Sequence, residues 1–153
     1  MDASVDIKNL DIITKKWGSA ALKLADTSDL MGEIGTFLNF SLLNRTSEGE
    51  DVHGVPFEPY STSYSRLRES KGLPTNVDLF FTGQMLSSLT YEKTKDQVKL
   101  FFMNTPRKDS ESSNSEIAFY VNEIREFFGI SAEERTAIAG MVEDFMTNIT
   151  RKK

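Results

Sequence analysis

Apolar residues recur at helical spacing near both ends of this chain and at alternate positions in its middle. Ile7, Leu10, Ile13, Trp17, Ala20, Ala21 and Leu24 share one helical face, which predicts an amphipathic helix over 7–24. Gly18 weakens that helix without forbidding it, and Trp17 reads as a packing residue. The cap-rich run Asp26-Thr27-Ser28-Asp29 opens a second helix over about 29–46. Leu30, Ile34, Phe37, Leu38 and Leu42 form its main stripe, and Met31, Phe40 and Leu43 widen it, so the helix is central to the core or partly buried in a partner. Residues 46–56 are a polar loop. Ser61 caps a short helix over 61–70, with Gly72 as its stop and Pro74 just beyond. Thr82 reads as the N-cap of a one- to two-turn helix through Leu86 or Ser88.

Period-two patterning begins at Leu89. Residues 89–94 and 97–103 predict a β-hairpin turning at Lys95-Asp96, whose second arm is apolar on both faces through Val98, Leu100 and Phe102 and through Phe101 and Met103. A strand of that kind is covered on both sides. Residues 104–116 carry serine and charge but little apolar surface, and read as a mobile loop, as does 46–60. Ile117, Phe119, Tyr120, Val121 and Ile124 suit a short helix over 115–122 running into a strand over 123–129. Ser131 and Glu134 form a capping box for a last helix over 132–149, with Ile138, Met141, Val142, Phe145 and Ile149 on one face. Arg151, Lys152 and Lys153 complement the negative end of that helix. The sum is one α+β domain over 1–153: a small antiparallel sheet, made of the hairpin plus a C-terminal strand, packed against N-terminal and C-terminal helices.

Composition narrows the function classes. With 153 residues, 39% hydrophobic and 27% charged, the chain is long enough for one core and reads as soluble and globular. The net charge of −5 argues against a dedicated nucleic-acid binder, although acidic walls suit a passage through which DNA slides. Without cysteine, disulfides, thiolate metal sites and thiol catalysis are excluded. The opening MDASVDIKNL lacks the pattern of a signal peptide, and the longest apolar run, Ile34 to Leu43, is too short to span a bilayer. Use in a cytoplasm, without a membrane, is the expectation.

Catalytic vocabulary is sparse. His53, the one histidine, lies in a polar loop near Glu48, Glu50 and Asp51, but no metal-binding pattern forms around it, nor any nucleophile motif. Glu133 and Glu134 are explained by capping, and Gly129 and Gly140 are isolated, so no phosphate loop is present. The expectation is no enzyme, no cofactor and no metal. A small hydrolase built on the acidic loop at His53 and a cytoplasmic protein-binding module or regulator are the rival readings.

Two blocks carry a resemblance. The first holds Phe57, Pro59, Ser61, Tyr64, Arg66, Arg68, Lys71 and Gly72, then Leu79, Thr82, Gly83, Met85, Leu86, Ser88 and Leu89. The second holds Arg125, Glu126, Phe127, Phe128, Gly129, Ile130 and Ser131, followed by Glu134 and Arg135. In order and distance they resemble the tail-completion and head–tail joining proteins of tailed bacteriophages, over about residues 30–149. Glu126 stands where the family usually has proline, and the preceding segment Glu116–Glu123 has neither the histidine nor the glycines often found there. The resemblance implies a virion structural protein of the neck, assembled in the host cytoplasm. It implies a ring, hexameric in the usual case, of this chain between connector and tail-tube proteins, with DNA only passing through. It marks Phe57, Pro59, Tyr64, Arg68, Gly72, Leu79, Thr82, Gly83, Leu86, Leu89, Arg125, Phe127, Phe128 and Gly129 as the assembly motif.

Overall fold

The computed structural model describes residues 4–7, 26–108 and 110–151. In chain order its elements are β1 (Ser4–Ile7), α1 (Ser28–Glu48), α2 (Thr62–Ser70), α3 (Gln84–Ser87), β2 (Leu89–Lys93), β3 (Val98–Phe102), α4 (Asn114–Ile124) and α5 (Ala132–Arg151). The fold is α+β. Apart from Ile7, which lies in β1, the helix expected over 7–24 falls outside the described residues.

The sheet is antiparallel with strand order β1-β3-β2. β3 is therefore the middle strand, flanked by Ser4–Ile7 on one edge and Leu89–Lys93 on the other. Its burial is one-sided: Val98, Leu100 and Phe102 are buried, whereas Phe101 on the other face is half-buried and Met103 just past the strand is exposed, so the expected cover on both faces is not seen among the described residues. The hairpin closes with the Thr94 amide donating to the Gln97 carbonyl at 2.8 Å, while the Thr94 hydroxyl and the Asp96 carboxylate meet at 3.0 Å across the turn.

The expected third strand over 123–129 does not form. α4 runs to Ile124, and the backbone beyond it is engaged locally. The Arg125 amide bonds the Val121 carbonyl at 2.8 Å, the Phe127 amide bonds the Arg125 carbonyl at 2.7 Å, and the Phe128 amide bonds the Asn122 side chain at 2.8 Å. The Phe127 carbonyl accepts from buried Arg45 at 3.0 Å. With donors and acceptors taken this way, no ladder is available, and the third strand comes from the N-terminal segment instead.

α1 lies across the sheet and against α5. Leu30, Met31, Ile34, Leu38 and Leu42 bury one side of it against β2, β3, Ile138, Val142 and Met146. Two glycines let it approach β2. A Cβ on Gly35 would sit 2.4 Å from the Tyr91 ring, and the Tyr91 hydroxyl lies 2.9 Å from the Thr36 hydroxyl. α5 starts as the sequence predicts, with the Ser131 amide on the Glu134 carboxylate at 2.7 Å and the Glu134 amide on the Ser131 hydroxyl at 3.1 Å. The same carboxylate accepts from Ser41 at 2.8 Å and faces Arg45 at 3.7 Å, tying α5 to α1. α4 has a capping box of its own, Ser113 with Glu116.

Gly35→Ala sets two effects against each other. Alanine favours a helix over glycine by about 1 kcal/mol, whereas forcing a methyl into a packed contact costs about 1–3 kcal/mol. At 2.4 Å the contact should prevail. Denaturant titration is expected to show net destabilisation, relieved in a Tyr91→Leu background; the same loss in both backgrounds would contradict the packing assignment.

Candidate assembly site

Arg68 is the one arginine without any exposure among the described residues. It sits in α2, whose N-cap Ser61 accepts from the Tyr64 amide at 3.3 Å as the sequence predicts. A charged group at such depth requires a full set of partners, and the 74–80 segment supplies them. The guanidinium donates to the Pro74 carbonyl at 2.6 Å, the Phe80 carbonyl at 2.6 Å and the Asp78 carboxylate at 2.9 Å. Asp78 also accepts from the Phe80 amide at 2.9 Å. One arginine thus fixes an irregular stretch that has no ladder of its own.

Two backbone features follow inside that stretch. Leu79 adopts φ 53°, the one non-glycine residue at positive φ among the described residues, a conformation costing on the order of 1–3 kcal/mol. Its amide donates to the Tyr60 hydroxyl at 3.2 Å, and the Arg68–Asp78 pair holds the residues on either side. Gly83, at φ 75°, precedes α3 directly and occupies the N-cap position expected of Thr82. The left-handed turn needed there excludes threonine, and a Cβ would also meet the Phe80 ring at 2.7 Å. The Thr82 hydroxyl instead lies 3.3 Å from Gln84 and 3.4 Å from Arg107.

The two blocks of the resemblance meet at Tyr60. The Arg68 guanidinium lies 4.9 Å from the centre of its ring and that of Arg125 5.3 Å, both within cation–π range. Arg125 also donates to the Glu58 carbonyl at 3.1 Å, which joins the second block to the start of the first. Tyr60 packs edge-on to Tyr64 at 4.8 Å, and Tyr64 lies 6.0 Å from Phe81. Burial pushes the Tyr60 phenol above its ordinary value, with Asp78 adding to the shift and Arg68 opposing it.

Beside Tyr60 opens a cleft of about 450 Å³, walled by this aromatic cluster on one side and by Ile117 and Val121 of α4 on the other. Of the motif residues, Tyr64, Leu79, Thr82, Gly83 and Arg125 line it. Phe57, Leu89, Phe127 and Phe128 belong to the core, where Phe102 meets Phe127 at 5.9 Å and Phe128 at 5.1 Å; Leu86 packs against that core. Gly129 abuts the Val52 side chain, while Pro59 and Gly72 are exposed and lie off the cleft.

Tyr60, Asp78, Arg107, Ile117 and Val121 also contribute and were not among the residues marked by the resemblance. Ile117 and Val121 stand one helical turn apart, a legible signal; Arg107 comes from the serine-rich segment and gave none. The loop holding His53 is shaped by Asp51, which accepts from the His53 and Val55 amides, both at 2.8 Å. The His53 ring lies 3.4 Å from the Glu126 carboxylate, and both side chains are mostly exposed. Val52 is buried beneath this loop, its amide on the Glu126 carbonyl at 2.8 Å. Among the described residues no group of three His, Asp or Glu is placed to hold a metal ion, and no helix is long and apolar enough to cross a membrane.

Removing one partner of a buried ion pair costs about 3–5 kcal/mol. Arg68→Met should therefore lower unfolding free energy by about that amount, and Arg68→Lys should recover only part, since a single ammonium cannot reach three acceptors in planar array. Chemical denaturation reads both; a loss near zero for Arg68→Met would refute the anchoring role.

The Tyr60 phenol titrates above its unfolded value, so its contribution to stability is whole below the ordinary phenol range and disappears as pH rises through the folded value. Tyr60 should give a late component in a tyrosinate absorbance titration, and Tyr60→Phe should remove it. If the late component persists in Tyr60→Phe, the assignment is wrong.

Compared with known proteins, the chain matches no family model, no curated protein and no solved structure.

Proposed function

We propose that this chain is a structural protein of a tailed-phage neck, completing the tail and joining it to the head connector as a ring of subunits. The observation that carries the reading is the meeting of Arg68 and Arg125 at Tyr60. Two sequence blocks about forty residues apart resemble one family, and their arginines share a single aromatic ring in the fold. Residues that serve one site from separate blocks are expected to converge in the fold, and this contact is of that kind.

The surface around that ring suits assembly better than turnover. Its cleft is walled by aromatic and aliphatic side chains beside two arginines, and Leu67, Phe80 and Phe81 are exposed in the same stretch. Exposed apolar surface of this kind marks a protein contact. In this role the neighbours are connector and tail-tube proteins, DNA passes without specific binding, and the chain does no chemistry. A cytoplasmic protein-binding module is the second reading, favoured by Phe40, which stands 72% exposed on α1.

Electron microscopy of particles made without this protein separates the two. Heads and tails accumulating unjoined are the expected outcome. Joined, infectious virions would rule out the neck role and leave the binding module.

A further inference from the structure

Leu79 carries strain that its neighbours do not share. Asp78 and Phe80 are clamped by charge. The Arg68 guanidinium holds the Asp78 carboxylate at 2.9 Å and the Phe80 carbonyl at 2.6 Å, and the same carboxylate accepts from the Phe80 amide at 2.9 Å. Between them Leu79 stands at φ 53°, in a region that residues other than glycine, asparagine and aspartate seldom enter. Its amide has one partner among the described residues, the neutral Tyr60 hydroxyl at 3.2 Å, which is the long end of the N–H···O range. The ends of the turn are thus held by hydrogen bonds to ions, and its centre by a neutral one of roughly half the strength.

A second arrangement uses the same atoms. Turning over the Asp78–Leu79 peptide changes ψ of Asp78 and φ of Leu79 together. It leaves the Phe80 amide and carbonyl in their clamps and brings Leu79 to negative φ, where leucine is unstrained. The Leu79 amide then leaves Tyr60, and the Asp78 carbonyl takes its place. No group among the described residues donates to that carbonyl now, so nothing is given up, and a phenol donates as well as accepts. One arrangement is strained, with the hydroxyl accepting; the other is relaxed, with the hydroxyl donating.

We infer that the Asp78–Leu79 peptide is a two-position switch governed by the Tyr60 hydroxyl. Tyr60 and Leu79 both line the cleft, so the switch sets what the cleft offers a partner. In the strained position the hydroxyl hydrogen has no acceptor among the described residues and is open to a partner's carbonyl or carboxylate. In the relaxed position the hydrogen is engaged by Asp78, and the oxygen is left to accept from a partner's N–H. A partner that accepts holds the turn as it stands. One that donates turns it over, by as much as it prefers that position. The switch goes beyond the neck role and does not depend on it.

Nuclear magnetic resonance of the isotope-labelled full-length chain tests this. The readout is the Overhauser contact between the Asp78 α-proton and the residue-79 amide, whose strength depends on ψ of Asp78 and changes when the peptide turns over. Tyr60→Phe removes the hydroxyl from both positions and leaves the strain unopposed, so the contact is expected to change. Amide exchange at residue 79 should quicken by roughly two- to tenfold, the effect of one neutral hydrogen bond. Adding Leu79→Gly removes the strain, since glycine is at ease at positive φ, and should restore the wild-type contact. An unchanged contact in Tyr60→Phe would mean that Arg68 alone sets the turn and would overturn the switch, as would a failure of Leu79→Gly to restore it. Fluorotyrosine in place of tyrosine keeps the ring and hydroxyl while making the phenol a stronger donor and a weaker acceptor, so it decides the question even where Tyr60→Phe fails to fold. The contact is then expected to move away from its wild-type strength, and no movement would overturn the switch.

Discussion

The buried Arg68 guanidinium is the constraint on which the rest of the candidate site depends. The chain between α2 and α3 has neither helix nor strand to hold it, yet it contains a left-handed leucine and a left-handed glycine in close succession. Such a segment loses much entropy on ordering and gains little from local bonding. Arg68 offsets that loss by binding two carbonyls and a carboxylate at once, with the hydrogen bonds to a charged donor that contribute most, about 1.5–3 kcal/mol each. Its position also fixes Tyr60, and through Tyr60 it fixes Leu79 and Arg125. One wall of the cleft follows from that chain of contacts; α4 supplies the other.

The same logic accounts for how the two halves of the chain are joined. The C-terminal block reaches the core through Phe127 and Phe128 against Phe102 of the middle strand. It reaches α1 through the Phe127 carbonyl on Arg45. Arg125, just before these anchors, is then held over Tyr60. Core packing and cleft geometry are consequently linked at a separation of two residues. A change that loosens Phe127 should be felt at the cleft, whereas one at exposed Pro59 or Gly72 should not.

Much of the fold was legible wherever periodicity and capping agreed. α1, α2, α5 and the hairpin follow from apolar spacing with Ser61 and Ser131 as caps. The misses have physical causes. β1 is four residues long and its partner, β3, lies more than ninety residues away, so no local pattern announces it. The 123–129 segment has the composition of a strand, but its amides are captured by Val121, Arg125 and Asn122. Thr82 has the chemistry of a cap, yet the turn demands the positive φ of Gly83. Of the site, Tyr64, Leu79, Thr82, Gly83 and Arg125 were marked by the resemblance. Nothing in the spacing identified Arg68 as buried, because its partners lie in an aperiodic loop.

Tyr120 and Ile124 of α4, and Leu67, Phe80 and Phe81 of the 67–81 stretch, are left exposed, and the proposed neck role would cover them with a neighbouring subunit. Cryo-electron microscopy of an intact joined particle tests this most directly. Density for this chain is expected at the head–tail junction, with the Tyr60 cleft buried against an adjacent subunit. Absence of the chain from the junction, or its presence there with the cleft open to solvent, would contradict it.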